Sequence, residues 1–369
     1  MSVLAIIFGI GLVVVALADL MNTLVTTSTS SWRWWPSTVL GYRAFGAMRL
    51  VTSRMAETSW LRERMLSLFA PVLVLTLLAM WTALQILGFG LVWWGTGGVE
   101  GVESFLDALY YSGVVYFTLG FGEVLPTAGV ARIGSLVEAF AGVTTTALVI
   151  GYLPSLYGAY SSREQKLMTL DDGSDDRITP TNLVVAWSPD ADTDRLNARF
   201  AEWEHWVSSV LETHSTLPLL QLFRSHDRRQ NWVTALGLLC DAAVHAQIIV
   251  GCTGRTESYW FLRRSIALFE ELTRGVDLSG YEQFVVDPAT RDVNDSPLFL
   301  DLYNRLQDHG FEVLPLQEAA ERSLVFRNRF APHLEYLIDS LLCPRGFWAP
   351  DLALGFAEDL PVRTDVAES

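Results

Sequence analysis

The sequence predicts an all-α membrane protein with a mostly α-helical soluble C-terminal half. Three observations lead there. Three apolar stretches in the first 160 residues are long enough to cross a bilayer. A short aromatic stretch ending in "TLGFG" lies between the second and the third. From residue 181 onward, apolar residues recur at i, i+3 and i+4 in an acidic background.

The charge distribution divides the chain in the same place. Of the 369 residues, 50% are hydrophobic and 18% charged, with a net charge of −15. Residues 1–158 carry seven arginines and eight acids, a net −1, so −14 falls on the remainder. That acidic balance argues against a nucleic-acid partner, because phosphate recognition needs clustered Lys and Arg. Cys240, Cys252 and Cys343 stand far apart, which suits buried thiols better than a zinc or redox site.

The first span is read at Val3–Thr26, within an N-terminal transmembrane segment 1–26. A cleaved signal would need a basic start, which is absent, and a shorter apolar run. Asp19, near the inner end of this span, is expected to pair with an arginine of the following loop. Residues 27–64 form that arginine-rich cytosolic loop, with six arginines. The second span is read at Met65–Trp94 and the third at Val130–Tyr157. The stretch 95–129 between them holds no Lys or Arg. The positive-inside rule then places the N-terminus outside and the C-terminus in the cytosol of a multi-pass protein of the cell (plasma) membrane. Trp32, Trp34 and Trp35 on one side, and Trp93 and Trp94 on the other, read as interfacial belts.

In the outer segment, Glu103 and Ser104 can start a helix over Phe105–Phe117, too short to cross and return. Its C-terminal end would direct partial negative charge inward, which favours a cation. Gly120 and Gly122 admit backbone angles closed to other residues, so successive carbonyls of Thr118–Gly122 can be aimed to one side. Such a column, with the Thr118 hydroxyl at its end, can replace the water shell of a cation.

"ALYYSGVVYFTLGFGEVLP" and "EAFAGVTTTALVIGYLPSLYGAYSSREQ" together resemble the pore module of potassium channels, of the bacterial two-span, pore-loop type. The resemblance covers about residues 65–166 and implies a pore domain over 65–160 with an additional transmembrane helix before it. By that resemblance Thr118, Leu119, Gly120 and Phe121 supply the oxygens that bind K+, and Gly122 lets the strip turn outward. Potassium is the only bound ion implied; no other cofactor is expected. Glu123 would be an outer-mouth charge or a brace behind the filter. Three departures stand out: Phe121 replaces the usual tyrosine, Leu119 replaces valine or isoleucine, and Val114 stands where some bacterial channels have a bracing glutamate. Fewer hydrogen bonds behind the strip would make the filter prone to collapse at low potassium. One strip per chain implies a homotetramer. No apolar run carries arginine at every third position, so no voltage sensor is expected.

Val130–Tyr160, 31 residues, would extend about 46 Å, more than the bilayer core. Gly142 is either a gating hinge or a close-packing site, and Pro154 either bends the inner gate or marks a helix irregularity. Glu138 could face pore water and concentrate cations, or face protein and pair there. Thr144, with Thr145 and Thr146, is a candidate for lining the cavity.

An acidic linker is expected at 161–180, a helical regulatory or assembly domain at 181–358, and a disordered tail at 359–369. Helices are read at Arg195–Thr213, Asn231–Gly251, Ser258–Thr273, Pro297–Asp308 and Leu316–Leu342. No G-x-G-x-x-G follows a strand, so this is not a Rossmann regulatory domain. Arg224, Arg228 and Arg229 with His226 could bind an anion, though salt bridges within an acidic domain are the simpler account. The six histidines lack metal-ligand spacing, and no catalytic motif occurs. The expectation is a potassium channel and not an enzyme, with a cytosolic ligand left unknown. The alternatives are a non-selective cation channel or a membrane-tethered signalling protein with a non-conducting pore.

Overall fold

The computed structural model describes residues 2–24, 34–56, 59–170, 178–225, 231–287 and 296–344. The contacts divide the chain into two units: Met1–Ala159 with Thr216–Phe223, and Tyr160–Ser215 with Arg224–Ser369. Both are all-α apart from short strand pairings.

In the first unit, α1 (Ser2–Leu24), α3 (Trp60–Thr96) and α5 (Gly129–Leu167) are long and apolar enough to cross a membrane. At about 1.5 Å per residue, the 37 residues of α3 and 39 of α5 extend well beyond the roughly 30 Å hydrocarbon core. α3 starts five residues before the expected span, with its first turn carried on Trp60–Glu63. α1 lies against α3 so closely that a Cβ at Gly9 would meet the Gly88 carbonyl oxygen at 2.4 Å. Glycine at both positions lets the two backbones touch, which is how helices gain packing where lipid offers no hydrophobic contrast.

The expected arginine loop contains a helix, α2 (Pro36–Thr52). Pro36 is pre-set for the first helical turn, and Leu40, Ala44, Phe45 and Met48 turn one face onto Leu20, Phe69, Leu73 and Trp81. Arg43 and Arg49 stay exposed. Among the described residues Asp19 has no arginine partner. Its carboxylate accepts from the Ser37 amide at 3.0 Å, the Ser37 hydroxyl at 2.5 Å and Trp81 Nε1 at 2.8 Å. The first turn of α2 presents unsatisfied N–H groups and a positive dipole end, which an arginine several turns away cannot match.

Between α3 and α5 lie β1 (Val99–Glu100), α4 (Phe105–Tyr116) and β2 (Leu125–Pro126). A second apolar core, including Phe89, Trp93, Ala108, Tyr111 and Ala141, joins α3, α4 and α5. The turn Pro218–Leu222 also belongs to this unit, with Leu219 and Leu222 leaning on the α1–α3 core.

The second unit begins inside α5. Residues expected to start a linker are helical through Leu167, and Arg163, Glu164, Leu167 and Leu170 are buried. Residues 171–177, the acidic centre of that linker, lie outside the described residues, as do 226–230 and the expected tail. The unit continues with α6 (Pro180–Trp187), α7 (Thr193–Thr216), α8 (Trp232–Ala246), α9 (Glu257–Leu272), α10 (Pro297–Asp308), α11 (Leu316–Arg327) and α12 (Ala331–Ser340). α8 is buried along its whole length and its neighbours pack around it. The single helix expected over Leu316–Leu342 is two, because Pro332 cannot continue α11 but is favoured in the first turn of α12.

Candidate functional site

The site is built on α4. Ser104 caps its start: its hydroxyl accepts from the Asp107 amide at 3.3 Å, and the Asp107 carboxylate accepts from the Ser104 amide at 2.7 Å. This reciprocal capping fixes the start of a helix of only 12 residues, which has little intrinsic stability. The segment holding α4 is closed at its base, where β1 and β2 pair antiparallel, Val99 opposite Pro126 and Glu100 opposite Leu125. Arg132 Nε donates to the Pro126 carbonyl at 3.1 Å just beyond.

At the C-terminal end of α4 the chain turns out of the helix without losing its anchorage. The Thr118 amide donates to the Val115 carbonyl at 3.0 Å, and the Leu119 amide to the Val114 carbonyl at 2.8 Å. Val114 thus serves the strip through its backbone. From there the backbone alternates: φ is +56° at Thr118, +61° at Gly120 and +85° at Gly122, with Leu119 and Phe121 between them outside that region. Only glycine takes such angles freely, and a threonine there costs roughly 1–2 kcal/mol. Thr118 through Glu123 are all exposed in the single chain, and Phe121 is 64% exposed. Among the described residues no hydrogen bond reaches the backbone of Gly120–Gly122, so those carbonyls are free to face a cation.

Behind the strip, the buried face of α4 is hydrogen-bonded at three levels. Tyr111 Oη and Ser135 Oγ are 2.6 Å apart. Ser112 Oγ donates to Glu138 on α5, whose other carboxyl oxygen accepts from Trp93 Nε1 on α3 at 2.6 Å. Gln85 Nε2 donates to Tyr116 Oη at 3.3 Å and to Thr145 Oγ1 at 3.1 Å. Nearer the mouth, Tyr110 donates to Glu123.

Several expectations change here. Glu138 does not face a cavity: it is 0% exposed and pairs with α3 and α4. It falls on the helical stripe Ala131, Glu138, Gly142, Thr145, Val149, Tyr152, whose members are all buried. That spacing is the signal that could have placed it. Trp93 is not a belt residue either, since it is 3% exposed; Trp94 remains 41% exposed. Thr145 is turned to Gln85, Thr144 is half-buried and Thr146 is exposed. Gly142 is a close-packing site: a Cβ there would lie 2.2 Å from the Tyr116 carbonyl oxygen, at the end of α4. Pro154 is exposed, and α5 runs through it. Sequence reasoning missed Trp93, Ser112, Gln85, Tyr116 and Ser135, ordinary residue types in apolar runs. Only their common position around α4 marks them.

In the second unit, Arg163 is buried beside Glu164 at 2.9 Å, with Trp232 5.0 Å from its guanidinium carbon. His214 lies 3.4 Å away, and burial together with the Arg163 charge holds its imidazole down at about 3. Burial likewise raises the Cys240 thiol and lifts Cys252 to about 12, so both behave as inert core residues. Arg224 donates to the Leu341 and Leu342 carbonyls, while His226, Arg228 and Arg229 lie outside the described residues. No metal-holding group of His, Cys, Asp and Glu occurs among the described residues.

Residues 72–157 match a family of ion channels. The chain is also 24% identical, over 189 residues, to an uncharacterized membrane protein, YdjJ, of Bacillus subtilis (strain 168). The match takes in 48% of this chain and 53% of that protein, so the chain spans about half the length of the curated relative it matches. No solved structure matches.

Proposed function

We propose that this protein, whose residues 72–157 match a family of ion channels, is a homotetrameric, potassium-selective channel. The observation that carries the reading is the alternation of positive φ at Thr118, Gly120 and Gly122 on a strip anchored to the end of α4. Carbonyls aimed to one side by such alternation form successive oxygen rings when four strips meet, and Thr118, Leu119, Gly120 and Phe121 supply them to K+. Four chains follow from one strip per chain. The exposed Leu119 and Phe121 side chains and the exposed Val130, Ile133, Val137 and Phe140 of α5 give each chain an apolar surface for its neighbours. Potassium is the permeant ion, and the pore needs no other cofactor.

The arginines of residues 33–64 put that end of the spans, and the C-terminal unit, in the cytosol of a cell membrane. Gating acts on α5. Its last residues, including Arg163, Glu164 and Leu167, are buried in the C-terminal unit. The unit regulates or assembles the pore.

Purified protein reconstituted in liposomes tests the reading by bi-ionic reversal potentials. With potassium on one side and sodium on the other, the reversal potential moves far toward the potassium equilibrium value. A reversal near zero would make it a non-selective cation channel. Absence of flux from intact tetramers would make it a membrane-tethered protein with a non-conducting pore.

A further inference from the structure

The filter strip hangs from α4, so whatever fixes α4 fixes the strip. The amides of Thr118 and Leu119 are held by the last carbonyls of that helix, Val115 and Val114. A small rotation of α4 would therefore displace the first oxygen rings. We propose that Glu138 is the positioning residue for selectivity in this channel: its carboxyl group joins the inner, outer and pore helices behind the strip. This rests on the potassium-channel reading above.

The geometry supports it in three ways. The two carboxyl oxygens serve two different helices, Trp93 Nε1 of α3 at 2.6 Å and Ser112 Oγ of α4. The Ser112 hydroxyl also lies 2.9 Å from the Ile86 carbonyl of α3, so the three helices meet at one point. Of the flanking contacts, Tyr111 with Ser135 joins α4 to α5, and Gln85 links Tyr116 to Thr145, both through neutral groups; the carboxyl lies between them. Removing it leaves the Trp93 indole N–H buried with no acceptor, and Ser112 loses its link to α5. The carboxyl touches no ion path, so its influence runs through α4.

This answers the departures at Phe121 and Val114. Bracing is taken up by the inner helix, beside the Tyr110–Glu123 contact near the mouth. The filter is then not prone to collapse, provided Glu138 is intact.

The test uses full-length tetramers in planar bilayers. Glu138→Ala should lower the potassium-to-sodium permeability ratio about tenfold, the scale of one lost buried hydrogen bond. It should also shorten openings in low potassium. Glu138→Gln should restore most of both, since its oxygen can accept from Trp93 and its amide can donate to Ser112. Ser112→Ala added to Glu138→Ala should have little further effect, because both break one link. If Glu138→Ala tetramers keep the wild-type ratio and open lifetimes, the proposal is overturned. Should that variant fail to assemble, Trp93→Phe removes the indole donor together with part of the ring and must lower both quantities; unchanged values overturn it equally. A wild-type channel without selectivity would defeat the functional reading instead, and open lifetime in the same variants would still decide the role of Glu138.

Discussion

The two units differ in what surrounds their central helices. In the C-terminal unit, α8 is surrounded by a large apolar core, and burial of hydrocarbon drives its folding. In the first unit, the buried polar side chains Asp19, Gln85, Ser112, Glu138 and Thr145 all lie where helices meet. In lipid, apolar contact does not distinguish one helix from a fatty-acyl tail, so orientation must come from close packing and hydrogen bonds. A short helix carrying strained backbone needs orientation most, and three levels of polar contact lie behind it.

Breaking the strip itself should have the largest effect. Gly120→Ala puts a Cβ on a residue at φ +61°, and potassium flux should vanish while tetramers persist on native gels. Next comes a pair that contrasts the two units. Leu239→Ala, in the α8 core, should destabilise by about 3 kcal/mol through transfer and cavity terms. Asp19→Ala should cost a similar amount, about 3 kcal/mol, by stranding the Trp81 and Ser37 donors. Thermal unfolding in detergent would measure both, and Asp19→Ala should leave the permeability ratio unchanged, since Asp19 does not touch α4. Equal loss of selectivity from Asp19→Ala would dissolve the distinction between anchoring α2 and positioning the strip.

A smaller effect is expected at Gly142. Gly142→Ala drives a methyl group at the Tyr116 carbonyl, costing about 2 kcal/mol by overpacking. Destabilised tetramers with altered selectivity are expected, whereas a pure hinge would alter open probability alone. The smallest test is pH. His214 is held neutral at about 3, below its unfolded value near 6.5, so its contribution is complete above pH 6.5 and is lost as pH falls towards 3. Between pH 7 and pH 5 the loss is about 2 kcal/mol at most. His214→Phe, keeping a ring against Trp232, should flatten the acid limb of the unfolding-temperature profile.

Much of the first unit was legible in the residues. Hydropathy located α1, α3 and α5, and Ser104 marked the start of α4. The C-terminal helices α7 to α10 were legible from spacing, with Pro297–Asp308 matched to the residue. α2 was not, because its arginines outweighed an apolar face that exists only against α1 and α3. The reading of Glu138 stayed open for a similar reason: a carboxylate in an apolar helix has two physically sound positions, and composition does not choose between them.

By itself the sequence determined which segments can cross a membrane, where a short helix must stop, and that Gly120 and Gly122 can take left-handed angles. These are local properties, set by side-chain transfer energies and backbone sterics within a few residues. Only the tertiary structure decided that Glu138 pairs with Trp93, 45 positions away, that Asp19 pairs with Trp81, 62 positions away, and that Gly142 seats the Tyr116 carbonyl. A polar atom in a low-dielectric interior must find a partner, and which one it finds depends on which helix faces it, not on its own neighbours in the chain.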